Sequence, residues 1–378
     1  MPQDARGTPL WEVELGPERP PLAATVRADV CVVGLGGSGL SAVRELRALG
    51  ASVIGLEAGR VGWGAAGRNG GFLLAGLAPF YHEVVERVGR ERARAMYALT
   101  MQELDRIATE TPAGVSRHGS LRIAESEEEL ADCEQQFDAL RAEGFPVERY
   151  DGEQGRGLLV RGDGTFQPLV RCRTLAAQSL DAGATLHERS RVVDIRPGCV
   201  STEHGAVHCD LVIVAVDGRL EQLLPELQYT VRSARLQMLA TAPTREVHLA
   251  HPVYARWGFD YWQQRPDGTI AMGGARDLAE TREWTTVAEP TDVVQGALER
   301  RLRETLGVHA PVTHRWAAIV GYTASGFPVI DEVRPGVWAI GGYCGTGNVV
   351  GSLLGRGLAR WRVGGDDSLV RPFVHADD

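Results

Sequence analysis

The pattern of apolar and polar residues near the start of the chain predicts a strand, a helix and a second strand. Residues 29–33 are almost continuously apolar and are followed by Gly34, which indicates a buried strand that stops at a turn. Apolar residues then recur at positions 40, 43, 46 and 49, the spacing of a helix, and Gly50 fits its end. Residues 52–57 predict the next strand, which ends at Glu57.

The rest of the chain alternates between helical and strand-like segments. The continuous apolar run at 211–216 is typical of a strand buried on both faces. Segment 231–274 predicts strands joined by turns, among them the turn at 266–268. The other predicted helices cover 81–110 (one or two helices), 127–144, 175–182, 291–306 and 349–361, and the other predicted strands cover 119–124, 185–195, 205–216 and 337–340.

The turn after the first strand carries the spacing of a dinucleotide-binding motif. Gly34 permits a tight turn, Gly36 lets the backbone approach a pyrophosphate, and Gly39 lets the helix pack close to the strand. The start of that helix offers free N–H groups and the positive end of its dipole to phosphates. Glu57 is placed to accept hydrogen bonds from a ribose. The alternative is an ordinary strand–turn–helix crossover, and the motif alone does not separate NAD from FAD.

Length and composition narrow the class of protein. A chain of 378 residues predicts two domains, and its net charge of −9 argues against nucleic acid as the main partner. We find no apolar run of membrane-spanning length and no signal sequence, which predicts a cytoplasmic, bacterial-type protein that does not bind a membrane. The six cysteines lack a Cys-x-x-Cys pair, so we expect reduced thiols and no metal site.

The chain contains no lysine, and all forty basic residues are arginine. Codon bias in a GC-rich genome explains this composition. Its chemical consequence is independent of the cause. A Schiff-base lysine is excluded, and with it pyridoxal enzymes and class I aldolases. A phosphate-binding P-loop is excluded too, because it requires its lysine.

A second glycine-rich stretch, residues 62–71, follows the predicted ribose-binding acid directly. Five glycines in ten residues lose much conformational entropy on folding, which makes sense where the backbone passes close to something flat or charged. Within it, the planar guanidinium of Arg68 suits a phosphate or a substrate carboxylate. The alternative is a flexible surface loop.

A third glycine-rich stretch, residues 341–348, repeats the strand–turn–helix logic near the other end of the chain. A helix N-terminus aimed at a ring that gains negative charge stabilises that charge. A reduced flavin is such a ring, whereas a nicotinamide goes from positive to neutral. This stretch therefore favours FAD.

The three stretches together resemble FAD-dependent oxidoreductases of the D-amino acid oxidase superfamily, on the branch of glycine oxidase, sarcosine oxidase and γ-glutamylputrescine oxidase. Nearly the whole chain takes part, including the Pro-rich N-terminal arm with Trp11. The resemblance implies an α/β fold in which a Rossmann-like FAD-binding domain is interleaved with an α+β substrate domain on a mostly antiparallel sheet. We expect an arm at 1–27, an FAD-binding domain at 28–81, 166–224 and 311–378, and a substrate domain at 82–165 and 225–310.

The predicted FAD site draws on all three stretches. No cysteine lies between Cys209 and Cys344, where some relatives tether the flavin, so we expect non-covalent FAD. The predicted cofactor-binding residues are Gly34, Gly36, Gly37, Ser38, Gly39, Glu57, Ala58, Gly64, Ala65, Ala66, Arg68, Asn69, Gly70, Gly71, Val192, Val193, Gly342, Gly345, Thr346, Gly347 and Asn348.

This chain departs from the family pattern at several positions. Ala66 stands where the family usually has Ser, and Cys344 and Thr346 stand where Ser and His are frequent. Several oxidases of the group hold a lysine near the flavin to activate dioxygen, and this chain has none. Either another cation does that work and O2 is the electron acceptor, or the enzyme is a dehydrogenase with a different acceptor.

The resemblance implies oxidation of a C–N bond in an amine or amino acid, with hydride transfer to the flavin and hydrolysis of the imine. Such chemistry needs positioning and a dry pocket, and we find no catalytic triad. The pocket candidates, each with an alternative as a core or surface residue, are Tyr254, Trp257, Tyr261, Trp262, Arg276 and Cys344. Two other hypotheses remain, a nicotinamide-dependent dehydrogenase and a flavoprotein assembly factor without turnover. The sequence predicts neither the substrate nor the oligomeric state.

Overall fold

A computed structural model describes residues 5–12 and 18–374. The strands in these ranges are β1 (Ala5–Arg6), β2 (Thr25–Arg27), β3 (Val30–Val33), β4 (Val53–Leu56), β5 (Phe72–Leu73), β6 (Ser120–Ala124), β7 (Val147–Gly152), β8 (Gly155–Val160), β9 (Gly164–Thr165), β10 (Thr185–His187), β11 (Val192–Arg196), β12 (Cys199–Thr202), β13 (Ala206–His208), β14 (Leu211–Val214), β15 (Arg232–Thr241), β16 (Val253–Ala255), β17 (Asp260–Gln264), β18 (Ile270–Gly274), β19 (Val312–Tyr322), β20 (Val329–Arg334) and β21 (Val337–Gly341). The α-helices are α1 (Gly37–Ala48), α2 (Tyr81–Val88), α3 (Arg90–Glu110), α4 (Glu127–Ala142), α5 (Pro168–Asp181), α6 (Leu220–Leu223), α7 (Glu280–Glu283), α8 (Asp292–Glu304) and α9 (Val350–Gly364).

A six-stranded sheet carries the first glycine motif. Its order is β10-β4-β3-β14-β21-β20, and every neighbouring pair is parallel except β20 with β21. The next strand of this sheet in the sequence after β3, β4, pairs with one edge of β3, and the later strand β14 pairs with its other edge. The strand order therefore changes direction at β3. Because parallel strands end at the same edge, Gly34, Glu57 and Ala215 meet there, where such sheets bind nucleotides.

Helices cover one face of this sheet and a small sheet covers the other. Helices α1 and α9 lie so close that a Cβ at Gly355 would come within 2.1 Å of the Ser38 carbonyl oxygen. On the opposite face the four-stranded sheet β11-β12-β13-β2 packs its apolar residues, such as Val200, against β3 and β4. The four side chains of β3 are consequently buried.

A nine-stranded sheet forms the second large layer. Its order is β1-β19-β15-β18-β17-β16-β6-β8-β7, and its pairs are antiparallel except β1 with β19 and β16 with β6. Helix α8 packs on one face, and the other face meets the second glycine-rich stretch through Phe72 and Trp316. The predicted fold class, a Rossmann-like unit interleaved with a mostly antiparallel sheet, is confirmed.

Two predicted strands are each split between different sheets. The expected strand at 185–195 is β10 in the six-stranded sheet and β11 in the four-stranded sheet, with Arg189 between them at φ 48°. The expected strand at 205–216 is likewise β13 and β14, separated where Asp210 donates to the Asp29 carbonyl. The apolar pattern predicted continuous strands because it does not show where the chain passes from one sheet to another.

Three other segments differ in detail from the sequence prediction. The region at 81–110 forms two helices, because Gly89 lies at φ 81° between them. Helix α5 begins at Pro168, before the predicted 175, and the Gln167 side chain caps the N–H of Val170 at 2.8 Å. The predicted arm at 1–27 includes β1 and β2, which pair in parallel with β19 and β13.

None of the helices within the described ranges has both the length and the apolar character needed to cross a lipid bilayer. The domain boundaries given above stay a prediction. Strand β19, which lies within the segment assigned to the FAD-binding domain, is hydrogen-bonded into the nine-stranded sheet.

Candidate active site

The first glycine motif forms a backbone cradle at the end of β3. Gly34 lies at φ 94°, and a Cβ there would sit 2.7 Å from the Ala215 carbonyl oxygen. A Cβ at Gly39 would sit 1.9 Å from the Gly34 carbonyl oxygen, so only glycine allows helix and strand to approach this closely. Gly36 is the N-cap of α1 and provides no side-chain hydrogen bond, and the first turn has no acidic residue. This helix start suits a diphosphate.

A groove of about 710 Å³ runs along this cradle. Its walls come from the six-stranded sheet, the second glycine-rich stretch and the third, a size and composition suited to an extended dinucleotide. Among the predicted cofactor residues, those lining the groove are Gly34, Gly36, Gly37, Ser38, Glu57, Ala58, Gly64, Ala65, Ala66, Arg68, Asn69, Val192, Val193, Gly345, Gly347 and Asn348.

The remaining predicted cofactor residues lie outside the groove. Gly70 and Thr346 line a neighbouring cavity instead. Gly39, Gly71 and Gly342 line neither space, and each is close-packed: an added Cβ would lie 2.7 Å from the Phe166 carbonyl oxygen at Gly71 and 2.7 Å from the Thr323 methyl group at Gly342. Their requirement for glycine is explained by packing within the protein.

Glu57 lies at the edge of the groove with both carboxylate oxygens already engaged. One accepts the N–H of Leu35 and the other accepts the N–H of Gly59, each at 3.0 Å. Burial raises the pKa of Glu57, and these backbone N–H groups oppose that rise. Each carboxylate oxygen can accept a second hydrogen bond, so the predicted ribose contact stays compatible with this geometry.

The guanidinium of Arg68 forms hydrogen bonds with backbone carbonyls of the protein itself. Its Nε donates to the Ala317 carbonyl at 2.8 Å and its Nη2 donates to the Gly7 carbonyl at 2.6 Å. Both acceptors belong to the β1–β19 region, so Arg68 fastens the second glycine-rich stretch to the nine-stranded sheet. The sequence suggested a phosphate or carboxylate partner for this residue, and its observed partners are two backbone carbonyls.

The sequence did not single out several polar residues of the groove. Asp217 accepts backbone N–H groups of Gly321 and Tyr343 at 3.1 and 3.2 Å, and burial raises its pKa to about 6. Burial lowers the pKa of Arg171 to about 10, and this guanidinium donates to Ser352 Oγ at 3.2 Å. Asp217 followed an apolar run and was interpreted only as a turn, whereas Arg171 belongs to no motif.

A second cavity of about 400 Å³ adjoins the groove. The two spaces share lining residues, among them Asn69, Gly345 and Asn348. Its walls are mainly apolar and aromatic, as expected for a small-molecule site. Lining residues that the sequence analysis had not named include Phe72, Phe80, Arg122, Met238, Phe259 and Tyr322.

Five of the six predicted pocket residues line this second cavity. Tyr254 and Tyr261 stack with ring centres 5.6 Å apart, and Trp257 stands nearer the surface, with 44 % of its area exposed. Trp262 does not line it. Successive residues of a strand point to opposite faces, so Trp262 lies among the core residues under α8.

Cys344 and Arg276 are the other two predicted residues that line the cavity. Cys344 lies in a left-handed turn at φ 51°, and its sulfur accepts the N–H of Thr323 at 3.3 Å. Burial raises the pKa of its thiol, which leaves it protonated near neutral pH. It is a half-buried turn residue beside the cavity.

The chemistry of the cavity is defined by what lines it. In the part of the chain that the structure describes, the lining residues include four arginines, one carboxylate from Glu83 and no histidine. Within residues 5–12 and 18–374, no group of three or more His, Cys, Asp or Glu side chains is arranged to hold a metal ion. The fold and the paired spaces are those of an α/β enzyme that binds a dinucleotide next to a second, small-molecule cavity.

The family model for DAO, FAD dependent oxidoreductase, matches residues 29–361, and the chain belongs to that family. Its cofactor is FAD, and it is an oxidoreductase. The chain is 26 % identical to the probable oxidoreductase OrdL of Haemophilus influenzae, over 93 % of this chain and 86 % of that protein. It is 28 % identical to the gamma-glutamylputrescine oxidoreductase of Escherichia coli, over 89 % of this chain and 84 % of that protein.

A solved structure shows the same fold. The glycine oxidase of Geobacillus kaustophilus superposes with a TM-score of 0.74 at 21 % identity, covering 93 % of this chain and 96 % of that chain. The family match confirms the resemblance found in the glycine-rich stretches.

Proposed function

We propose that this protein oxidises a C–N bond of an amine or amino acid, with the groove holding FAD and the adjoining cavity holding the substrate. The observation that carries this proposal is the shared boundary of the two spaces at Asn69, Gly345 and Asn348. The residues of the groove would hold the cofactor, and a small molecule in the adjoining cavity would lie next to it at this boundary.

The names of the relatives support the substrate class. Gamma-glutamylputrescine oxidoreductase and glycine oxidase are named for compounds that contain an amine. Bound FAD supplies an acceptor for a hydride from the carbon next to that nitrogen.

The residues of the cavity suit a reaction that needs orientation and exclusion of water. The rings of Tyr254, Tyr261 and Phe72 form a packed apolar wall, with ring centres 5.0 to 5.9 Å apart. Burial raises the pKa of Tyr254 to about 12, so its hydroxyl stays neutral and can donate a hydrogen bond. Glu83, the one carboxylate among the described residues of the lining, lies 3.4 Å from Arg87. The substrate amine therefore has to arrive neutral, and the imine product hydrolyses in water.

The electron acceptor is either O2 or another oxidant. The sequence contains no lysine to activate dioxygen, and no histidine is among the residues of the described ranges that line the cavity. This observation favours a dehydrogenase as the second candidate.

Three measurements on the purified protein test the proposal. FAD released on denaturation should account for about one flavin per chain, and an amine or amino acid should bleach the bound flavin without oxygen. Peroxide formation in air then separates an oxidase from a dehydrogenase. A flavin that no member of a broad amine and amino-acid panel reduces would overturn the proposed activity and favour the assembly-factor alternative.

A further inference from the structure

Arg276 is a cation of the substrate cavity without an ion pair among the described residues. Its guanidinium carbon lies 5.5, 4.9 and 4.8 Å from the ring centres of Phe259, Trp284 and Tyr322. Its Nη1 is buried and has no hydrogen-bond partner in that part of the chain. The residue as a whole is half-buried, but a buried guanidinium N–H without an acceptor is costly, so this arrangement points to an anionic group supplied by a ligand.

Arg122 is a second cation of the same kind. Its guanidinium carbon lies 5.9 Å from the ring centre of Phe80 and 5.7 Å from that of Tyr254, and its Nε is buried without a partner among the described residues. The buried carboxylate of Asp163 acts on Arg122 through its field but forms no ion pair with it within the described ranges. That carboxylate instead accepts the Ser120 hydroxyl at 2.6 Å.

The other two arginines of the cavity are already satisfied. Arg87 donates to the Ser325 carbonyl at 2.7 Å and lies 3.4 Å from Glu83. Arg68 donates to two backbone carbonyls, at 2.8 and 2.6 Å. The unpaired state is therefore specific to Arg122 and Arg276.

The register of the nine-stranded sheet separates these two cations. Arg122, Tyr254, Tyr261 and Gly273 lie in one row across β6, β16, β17 and β18. Neighbouring strands are about 4.8 Å apart, so three spacings place the two ends of this row about 14 Å apart. Arg276 lies two residues beyond the end of β18, and the stacked rings of Tyr254 and Tyr261 lie between the two ends of the row.

We propose that the cavity selects an amine that carries two carboxylates, one on each side of its nitrogen. Arg122 binds one of these carboxylates and Arg276 binds the other. The planar guanidinium fork matches a carboxylate, and each charge-assisted pair adds orientation as well as affinity. This inference rests on the proposed function, since it names the substrate class of the same cavity. It predicts preference for an N-carboxyalkyl amino acid over simple amines and over amino acids with one carboxylate.

Ligand binding tests this inference without turnover. Glutarate and valerate have the same carbon number and differ in one carboxylate, and each can be titrated into the FAD-loaded protein while the flavin absorbance is recorded. We expect the Kd of glutarate to be at least about tenfold lower, the scale of one charged hydrogen-bonded pair. In Arg122→Gln and in Arg276→Gln the two Kd values should come within about threefold of each other.

The matched control is Arg87→Gln, which removes a paired arginine from the same cavity and should leave the glutarate preference intact. The flavin spectrum before titration shows whether each variant has retained its fold and cofactor. Equal affinities of the wild type for glutarate and valerate would overturn the inference, as would a preference that survives in both the Arg122 and the Arg276 variants.

Kinetics give the second readout. The kcat/KM for N-(2-carboxyethyl)glycine should exceed that for N-propylglycine, and each single variant should reduce it by about tenfold or more while the second substrate responds to only one variant. If no amine reduces the flavin, the proposed activity fails, whereas the carboxylate titration still decides whether two anion sites exist. Equal kcat/KM values for the two substrates would contradict the inference alone.

Discussion

Asn69 and Asn348 lie 279 positions apart in the sequence and bind each other through both side-chain amides, at 3.0 and 3.1 Å. Asn348 also donates to the Phe72 carbonyl at 2.8 Å, and Asn69 accepts the N–H of Gly71 at 2.8 Å. This pair joins the second glycine-rich stretch to the third, at the boundary shared by the groove and the cavity.

Replacing either asparagine by alanine should therefore cost more than one hydrogen bond. Each single change leaves a half-buried amide without its partner, and we expect a loss of about 1–3 kcal/mol in unfolding free energy. The double variant should cost less than the sum, with a coupling energy of about 1 kcal/mol from urea unfolding. Strictly additive losses would show that Asn69 and Asn348 act independently.

Alanine substitution should lower the unfolding free energy by different amounts at the two glycines near the start of α1. Gly39→Ala places a Cβ 1.9 Å from a backbone oxygen, whereas Gly37→Ala places one 3.7 Å from Ser352 Oγ, an ordinary contact. We expect Gly39→Ala to lose about 2 kcal/mol or more and Gly37→Ala to stay within about 1 kcal/mol of the wild type. Urea unfolding of the FAD-free proteins measures both, and equal losses would contradict the close packing of α1 on β3.

Glu57→Leu should weaken FAD retention. The substitution removes the acceptor of the Leu35 and Gly59 N–H groups and, by the proposal, of the ribose, so we expect FAD affinity to fall by about tenfold or more. Flavin content after gel filtration measures it. Glu57→Gln is the control, because one amide oxygen remains as an acceptor, and it should retain more flavin. Unchanged flavin content in Glu57→Leu would count against the ribose role.

Asp163 should make the unfolding free energy of the protein decrease as the pH rises. Burial raises its pKa from the ordinary 3.8 to about 6, so its stabilising effect is fully present below pH 3.8 and is lost as the pH rises through 6. Asp163→Asn cannot ionise. The unfolding free energy of this variant relative to the wild type should therefore rise by up to about 3 kcal/mol between pH 4 and pH 7. A difference that stays constant with pH would mean that Asp163 is ionised normally in the folded state.

Substitutions at Tyr254 in β16 and Trp262 in β17 should affect different properties, the first catalysis and the second stability. Tyr254→Leu changes the wall of the cavity and should lower kcat/KM for the substrate identified by flavin reduction. Trp262→Leu changes the core under α8 and should cost about 2 kcal/mol or more of stability with little effect on kcat/KM. A kinetic defect in a fully folded Trp262→Leu variant would place that residue in the substrate site.

The groove could be predicted from the sequence because its requirements are local. Glycine spacing at Gly34, Gly36 and Gly39 reports backbone approach, and the strand–turn–helix context is contiguous in the chain. The orientation of Trp262 was also accessible, since alternation along a strand places it opposite Tyr261.

Other features could not be predicted because they depend on contacts between distant segments. No local pattern shows that Arg68 binds Gly7, or that Arg122 and Tyr254 lie in one row of a sheet. The split strand at 185–195 has the same cause, because the switch from β10 to β11 is fixed by the Glu57 and Gly59 carbonyls, which accept the N–H groups of Ser190 and Arg189.

The hydrogen bond from Arg68 to the Gly7 carbonyl, together with the 2.6 Å hydrogen bond from the Trp11 indole to the Asn69 carbonyl, makes residues 5–12 part of the flavin enzyme. Translation from an internal start codon beyond Trp11 would keep the whole dinucleotide motif. The resulting polypeptide would lack the hydrogen bonds that Gly7 and Trp11 form with the second glycine-rich stretch. Gene boundaries drawn only from the motif would therefore miss residues on which the holoenzyme depends.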